Sequence, residues 1–358
     1  MPGAGKRLKG KALVLWFEIF AAISSLSIEL QAELQAELQA VFVLVAAAGL
    51  DFVVGDPWHW PHPVQAMGKV IAFCSNRAIA AGLSPPLMKI IGIGLAGVVI
   101  GGSGLLAWAS LSLIAVLSPG LRCILEVVLL ASCFAGRSLR RAAEDVLQSM
   151  AAGNLAQARV RLALYVGRDT EHMSASDVYR AVLETVSENA VDGVLAPLFY
   201  AIVGAFVGLA APVAIAYKAA STLDSMVGYR HAPYTDLGWF SARLEDTLTW
   251  LPCRLSVMTV AILSRRPRHI LRLCWRDARA DPSPNAGWSE CAYAAALGVR
   301  LGGVNRYRGQ IKIKPYLGDD TQPITAVVIQ RALQITRWSF MIGLSLGSFG
   351  LLLRSVYP

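Results

Sequence analysis

Six stretches of this 358-residue chain, about residues 38–55, 87–117, 120–135, 193–216, 247–264 and 338–356, are apolar enough to lie inside a lipid bilayer. A helix that crosses the hydrocarbon core needs about 20 mainly apolar residues. No water is present there to satisfy an open backbone, so such segments must be helical or close into a barrel. The windows at 120–135 and 247–264 are short, which is compatible with tilt, re-entry or burial between neighbours, and the expected number of spans is five or six. With 55% hydrophobic and only 16% charged residues and a mean hydropathy of +0.51, the chain is too apolar for an ordinary soluble domain. The expected fold class is all-α, a polytopic helical membrane protein with helical cytoplasmic loops.

Charge sets the orientation. Of the net +9, most falls in residues 265–337, which hold 13 Lys or Arg against 5 acids. The positive-inside rule places that segment in the cytoplasm. Counting spans backwards puts the loops at 136–190 and 56–86 there too, with the last helix carrying the C-terminus out. The loop at 222–246 falls on the opposite face if the window before it spans fully, and on the same face if Pro212 marks a re-entrant break. The expected location is the cytoplasmic (inner) membrane, with the active-site loops on the cytoplasmic side and no nucleic-acid partner.

The chain divides into an N-terminal extension (1–40), membrane helices (41–135), a cytoplasmic helical loop (136–190), further membrane helices around the polar 222–246 loop (191–264), a basic cytoplasmic region (265–337) and a C-terminal membrane helix (338–358). Three copies of Glu-Leu-Gln-Ala fill residues 29–40. The basic start, Met1 to Lys11, and the apolar run near 12–28 resemble a signal peptide without a small-residue cleavage site, so no cleavage is expected. The six cysteines form no CxxC pair and read as reduced packing residues. In the 136–190 loop, helices are expected over 136–151 and 154–165, with a third from about Ser176 after a break at Gly167; Ser174 and Asp177 are spaced as a capping box. In the basic region, a helix from Trp288 to Val299 is ended by Gly302-Gly303, and Tyr307 to Gly318 can be extended because Ile311-Lys-Ile-Lys alternates with period two.

Chemistry concentrates in a few places. Asp177, Glu184 and Glu188 fall at i, i+7 and i+11 on one helical face, followed by Asn189 and Asp192 where the chain turns apolar. Asp177 and Glu184 also fit a solvated helix face. A carboxylate at the membrane interface is costly unless paired, protonated or metal-bound, and two carboxylates with an amide oxygen suit Mg²⁺, which prefers oxygen ligands and keeps several waters. Lys218 either snorkels to the interface or supplies a cation for phosphate or for Asp224. Asp236, Arg243, Glu245 and Asp246 read at least partly as loop charges. Asp56 and His62 lie in a proline-rich loop and are candidate polar or acid-base groups, whereas His59 and His62 off a helix argue against a His-xx-His metal site. Arg168, Lys312 and Lys314 are candidate anion ligands, with Asp169 and Asn285 in the same polar segments. No GxxxxGK[ST], no GxGxxG after a strand, no HExxH and no GxSxG is present.

Taken together, Glu184-Thr-Val-Ser-Glu-Asn-Ala-Val-Asp-Gly-Val-Leu-Ala-Pro-Leu-Phe199, Gly167-Arg-Asp-Thr170 and Thr222-Leu-Asp-Ser-Met-Val-Gly-Tyr229 resemble the adenosylcobinamide-phosphate synthase family, often called CobD or CbiB. Asp51-xxx-Gly-Asp-Pro57 with His62-Pro-Val64, Phe240-Ser-Ala-Arg-Leu-Glu-Asp246, Ser283-Pro-Asn-Ala-Gly-Trp288, Ala296 to Gly303 and Lys314-Pro-Tyr-Leu-Gly318 extend the likeness over about residues 41–335. Lys218-Ala-Ala-Ser stands where the family more usually has Arg-Ala-Ile-Asn, and Ser289-Glu-Cys-Ala-Tyr where Pro-Glu-Ala-Ala-Met is usual.

The resemblance implies cobalamin biosynthesis: an ATP-dependent amide bond between adenosylcobyric acid and (R)-1-aminopropan-2-ol or its O-phosphate. It implies ATP and Mg²⁺ as cofactors, and membrane enzymes of late cobalamin assembly as further candidate partners. Under it, Glu188, Asn189, Asp192 and Asp224 are the expected metal ligands and Arg168, Lys218 and Lys314 bind phosphates. Glu184 or His62 takes the proton from the amine. The alternatives are a transporter, because Gly- and Pro-interrupted apolar segments with terminal charges also serve transport, and a non-catalytic membrane sensor.

Overall fold

Long apolar runs become helices here, and they tolerate internal glycines, as in Pro85–Leu117, and Pro252 within Trp239–Leu263. The structure is a computed structural model, and it describes residues 28–55 and 62–355. Its helices are α1 (Ile28–Val53), α2 (Pro63–Ala80), α3 (Pro85–Leu117), α4 (Pro119–Ala131), α5 (Gly136–Ala151), α6 (Leu155–Leu162), α7 (Ala175–Asn189), α8 (Ala196–Ala205), α9 (Ala210–Val227), α10 (Trp239–Leu263), α11 (Pro267–Asp277), α12 (Ala286–Leu297) and α13 (Ala326–Arg354). One antiparallel hairpin, β1 (Leu301–Tyr307) and β2 (Gln310–Leu317), follows α12. Among the described residues five helical stretches are long and apolar enough to cross a membrane: Gln31–Val53, Pro85–Leu117, Pro119–Ala151, Ala175–Ala205 and Ala326–Arg354. The basic start at 1–11 and the apolar run that follows lie outside the described residues.

The core divides in two. One cluster joins α1, α3, α4, α8, α9 and the end of α13 through residues such as Leu44, Leu130, Leu198, Leu223 and Leu351. The other joins α5, α6, α7, α10, α11, α12 and the start of α13 through Leu162, Val186, Val260, Ile270 and Tyr293, and takes in Leu301 and Leu317 of the hairpin.

The window at 193–216 is not one span. It folds as an antiparallel helical hairpin of α8 and α9, with the reversal at residues 206–209, ahead of Pro212. Gly208 takes the left-handed conformation at φ +70°, and Leu209 N–H closes on Gly204 C=O at 2.7 Å. Gly204 permits the close approach, since a Cβ there would lie 2.5 Å from the Leu209 carbonyl oxygen. The turn sits level with the outer ends of α1 and α13: the Arg354 guanidinium donates to the Phe206 carbonyl and pairs with Glu37 at 3.3 Å. Because the chain goes in and comes back, residues 222–246 lie on the same face as Glu188 and Asp192.

Three further boundaries differ from the sequence reading. The tetrad repeat at 29–40 continues without a break into the first spanning helix. The window at 247–264 is the later part of the longer α10, which accommodates Pro252. Helix α12 ends at Leu297 with Gly298 in the left-handed region, and Gly302-Gly303 instead open β1. The capping box at the start of α7 forms: the Ser174 hydroxyl accepts from Asp177 N–H and the Asp177 carboxylate accepts from Ser174 N–H, each at 3.2 Å.

Candidate functional site

Proline 197 shapes the site. A prolyl nitrogen has no hydrogen to give the carbonyl four residues back, so Gly193 C=O accepts instead from Ala135 N–H at 2.9 Å. The helix widens into a π turn over Ala190–Leu195, a form that recurs at functional sites. Asp192 sits within this turn, one helical turn beyond Glu188. Asp224 ends α9, and Glu245 and Asp246 lie early on α10. Glu188, Asp192, Asp224 and Glu245 are all within electrostatic reach of one another. Glu188 is exposed and Asp192 and Asp224 are half-buried; Glu245 is buried.

Beneath them runs a chain of hydroxyls. Tyr217 donates to the Asp192 carbonyl at 3.4 Å and meets the Thr249 hydroxyl at 3.2 Å, and Thr249 in turn donates to the Glu245 carboxylate. Tyr200 stacks on Tyr217 with centroids 4.7 Å apart. These contacts tie the π turn, α9 and α10 together and fix where their carboxylates stand.

Like charges held this close need a counter-charge. Lys218 faces Asp192, and Lys314 and Arg168 face Glu188. The donor set is all oxygen, which suits Mg²⁺. Among the described residues no group of three or more His, Cys, Asp or Glu side chains is placed to hold a metal ion by itself. A Mg²⁺ ion that keeps waters and shares substrate phosphates needs only one or two carboxylates from the protein.

Lys314 reaches this group from β2. Its ammonium donates to Glu290 at 2.9 Å, and Glu290 is fully buried on α12. Its second carboxylate oxygen has no hydrogen-bond partner among the described residues. Burial pushes Glu290 up to about 8 against the opposing pull of Lys314, and Glu188 and Glu184 add to the rise. Burial would lower Lys314, yet the Glu290, Glu188 and Glu184 carboxylates together hold it above the usual lysine range.

Glu184 and Arg168 form the second buried pair. Arg168 donates to Glu184 at 2.6 Å and to Asn305 at 2.9 Å. Glu184 also accepts from Arg180 at 3.4 Å and from Gly302 N–H at 2.9 Å. The last contact needs glycine: at φ +85° a Cβ on Gly302 would lie 1.9 Å from the Pro315 carbonyl oxygen. These bonds lock the β-hairpin to α7 and so position Lys314.

The remaining candidates scatter around this centre. Asp169 accepts from the N–H groups of Arg308 and Gly309 at 2.9 and 2.7 Å, latching the hairpin tip. Asn285, buried, accepts from Arg254 at 2.9 Å and donates to the Asp246 carbonyl at 2.7 Å. Lys312 is exposed nearer the tip, 5.9 Å from the Tyr307 ring centroid. Asn189 donates to Thr185 C=O on its own helix at 2.9 Å. His62 caps α2, accepting from Val64 N–H at 3.3 Å. Asp56 lies outside the described residues. The sequence reading missed Glu290 and the pairing role of Arg180, and it placed Glu245 among loop charges. A lone carboxylate in the otherwise apolar α12 was the available signal for Glu290.

The family model described as CobD/Cbib protein matches residues 44–336. The chain is 51% identical to "Cobalamin biosynthesis protein CobD" of Synechocystis sp. over 312 residues, covering 85% of this chain and 91% of that protein. It is 42% identical to "Cobalamin biosynthesis protein CbiB" of Salmonella arizonae over 290 residues, covering 80% and 89%. The identity to "Cobalamin biosynthesis protein CobD" of Klebsiella pneumoniae is also 42%, over the same length and coverage. No solved structure matches the chain.

Proposed function

The chain belongs to the CobD/CbiB protein family, and from that membership and the acidic cluster we propose that it acts in cobalamin biosynthesis as a membrane-bound, ATP-dependent amide ligase. The proposed reaction joins the carboxylate of adenosylcobyric acid to the amine of (R)-1-aminopropan-2-ol or its O-phosphate. The single observation that carries the reading is the gathering of Glu188, Asp192, Asp224 and Glu245 opposite Lys218 and Lys314 at one membrane face.

A carboxylate repels nucleophiles at neutral pH, so its oxygen must first become a leaving group, and the attacking amine must lose its proton. ATP supplies the phosphoryl or adenylyl group for that activation, and Mg²⁺ neutralises phosphate charge when bound. Glu188, Asp192 and Asp224 are the residues that would hold the ion. Lys218 and Lys314 hold phosphate oxygens, with Lys314 aimed by its hydrogen bond to Glu290. Glu245, oriented by Thr249, takes the amine proton as nitrogen attacks the activated carbonyl and the phosphate departs.

Glu184, His62 and Arg168 leave the direct roles that the resemblance suggested. The carboxylate of Glu184 is already engaged by Arg168, Arg180 and Gly302, and His62 caps a helix, so neither is placed as the base. Arg168 is spent on Glu184 and Asn305 and acts by positioning. The basic residues of 265–337 support a cytoplasmic location for this face in the cell's inner membrane.

Mass spectrometry of adenosylcobyric acid incubated with detergent-purified protein, ATP, Mg²⁺ and each amine form tests the reading. A mass gain equal to amide formation and lost without ATP is expected. No gain from folded protein with either amine overturns it.

A further inference from the structure

A cavity of about 840 Å³ forms a cleft between α10, α11 and the segment leading into α12. It sits at the upper end of the range for small-molecule sites, and nothing above gives it a task. Three tryptophans line it: Trp250, Trp275 and Trp288. Trp250 and Trp275 are 51% and 55% exposed, and large aromatic groups left open on a concave wall mark a binding surface. The floor is aliphatic, with Val257, Met258 and Leu271.

The polar groups of the cleft are cationic in balance, Arg230, Arg243, Arg254 and Arg279 against Asp246 and Asp281. Arg254 is fixed in place. Its guanidinium carbon lies 5.1 Å from the Trp250 centroid and 4.7 Å from that of Trp288, and it donates to Asn285 Oδ1 and Pro284 C=O, each at 2.9 Å. The wall is therefore a pre-formed stack of planar groups. One end of the cleft meets the acidic cluster, because Asp246 and Arg230 on its rim are both within reach of Asp224.

We infer that this tryptophan–arginine cleft seats the corrinoid, a large conjugated macrocycle with an adenosyl group, peripheral amides and a carboxylate, and presents that carboxylate to the cluster. The inference rests on the proposed reaction for the identity of the ring. Planar indole and guanidinium groups stack on flat conjugated groups such as the adenine of this ligand and cover its apolar ring edges, and the cationic balance suits an acid. An aliphatic floor is a poor surface for a triphosphate, and Lys218 and Lys314 stand outside this cleft, at the carboxylates where phosphates are needed.

Equilibrium dialysis of adenosylcobyric acid against the detergent-purified full chain, read by corrinoid absorbance, tests it with Trp250→Ala and Trp275→Ala, both at exposed positions. Each variant should bind the corrinoid about tenfold more weakly, a loss of about 1.4 kcal/mol, with MgATP binding unchanged and Trp250→Phe restoring part of the loss. Steady-state assays should show a raised KM for the corrinoid alone. Unchanged corrinoid binding in both variants overturns the inference, as does loss of MgATP binding in its place or failure of the parent protein to bind the corrinoid. The proposed reaction is judged separately: amide formed by variants with normal corrinoid affinity sinks the cleft and keeps the reaction, while cleft-dependent binding without amide formation does the reverse.

Discussion

Glu290 on α12 and Lys314 on β2 meet at 2.9 Å although 24 residues separate them, and Glu188 stands within reach of both. The pair couples the hairpin to the acidic cluster, so its protonation bears on both stability and function. Burial raises Glu290 to about 8, above the ordinary carboxylate value of about 4.3 in an unfolded chain. A raised folded value means that the folded state binds more protons, so this contribution is complete below the unfolded value and is lost as pH rises to about 8. Melting temperature in detergent should therefore fall between pH 5 and 8, and Glu290→Gln should flatten that slope. An equal slope in both proteins would contradict the assignment.

Removing a carboxylate of the cluster should cost activity and not folding. Glu188→Ala and Asp192→Ala should lower amide formation by at least about 100-fold, since even indirect supports of a metal commonly cost 10- to 100-fold. Their yield and elution profile from the membrane should match the parent. Near-normal turnover in either variant would remove the metal role.

The Arg168–Glu184 pair should behave in the opposite way. Its side chains are 8% and 1% exposed, so Glu184→Gln leaves the Arg168 guanidinium without its paired carboxylate, while Arg180 keeps Asp177 at 3.0 Å, and breaking a buried pair costs about 3–5 kcal/mol. A large drop in melting temperature is expected, together with freer hydrogen exchange in the β-hairpin. A variant as stable as the parent, with a loss confined to turnover, would instead return Glu184 to the chemistry.

Topology can be read with cysteine labelling. Val207, 66% exposed at the hairpin turn, should react as Val207→Cys with an impermeant maleimide in spheroplasts. Ser225→Cys and Asn189→Cys, at exposed positions on the other face, should react only after permeabilisation. Opposite labelling of Asn189→Cys and Ser225→Cys would mean that residues 193–216 cross the membrane once.

The spanning helices and the capping box at Ser174 were legible because they depend on local pattern: run length, and two side chains three residues apart. The reversal at 206–209 was not. Ala205-Phe-Val-Gly-Leu-Ala-Ala-Pro212 is apolar throughout, and hydropathy cannot distinguish one helix from two short ones joined by a four-residue turn. That ambiguity hid the site's shape, since it left the side of Asp224 open. Glu245 looked like a loop charge because α10 starts at Trp239, eight residues before the apolar window. Glu290, Arg168 and Lys314 find partners 16 to 24 residues away, or reach farther to Glu188, and no local periodicity encodes such meetings. Glu188 and Asp192 stood out because a carboxylate at the edge of an apolar run already demands an explanation.

The α8–α9 hairpin also bears on how the protein is made. Both of its ends stay on one side, so its insertion carries only the uncharged stretch from Gly193 to Tyr217 toward the far leaflet. Glu188, Asp192, Asp224 and Glu245 therefore share one side however the hairpin is inserted. The four charges stay together throughout, and a span count altered by one helix elsewhere in the chain would move all four to the opposite side at once.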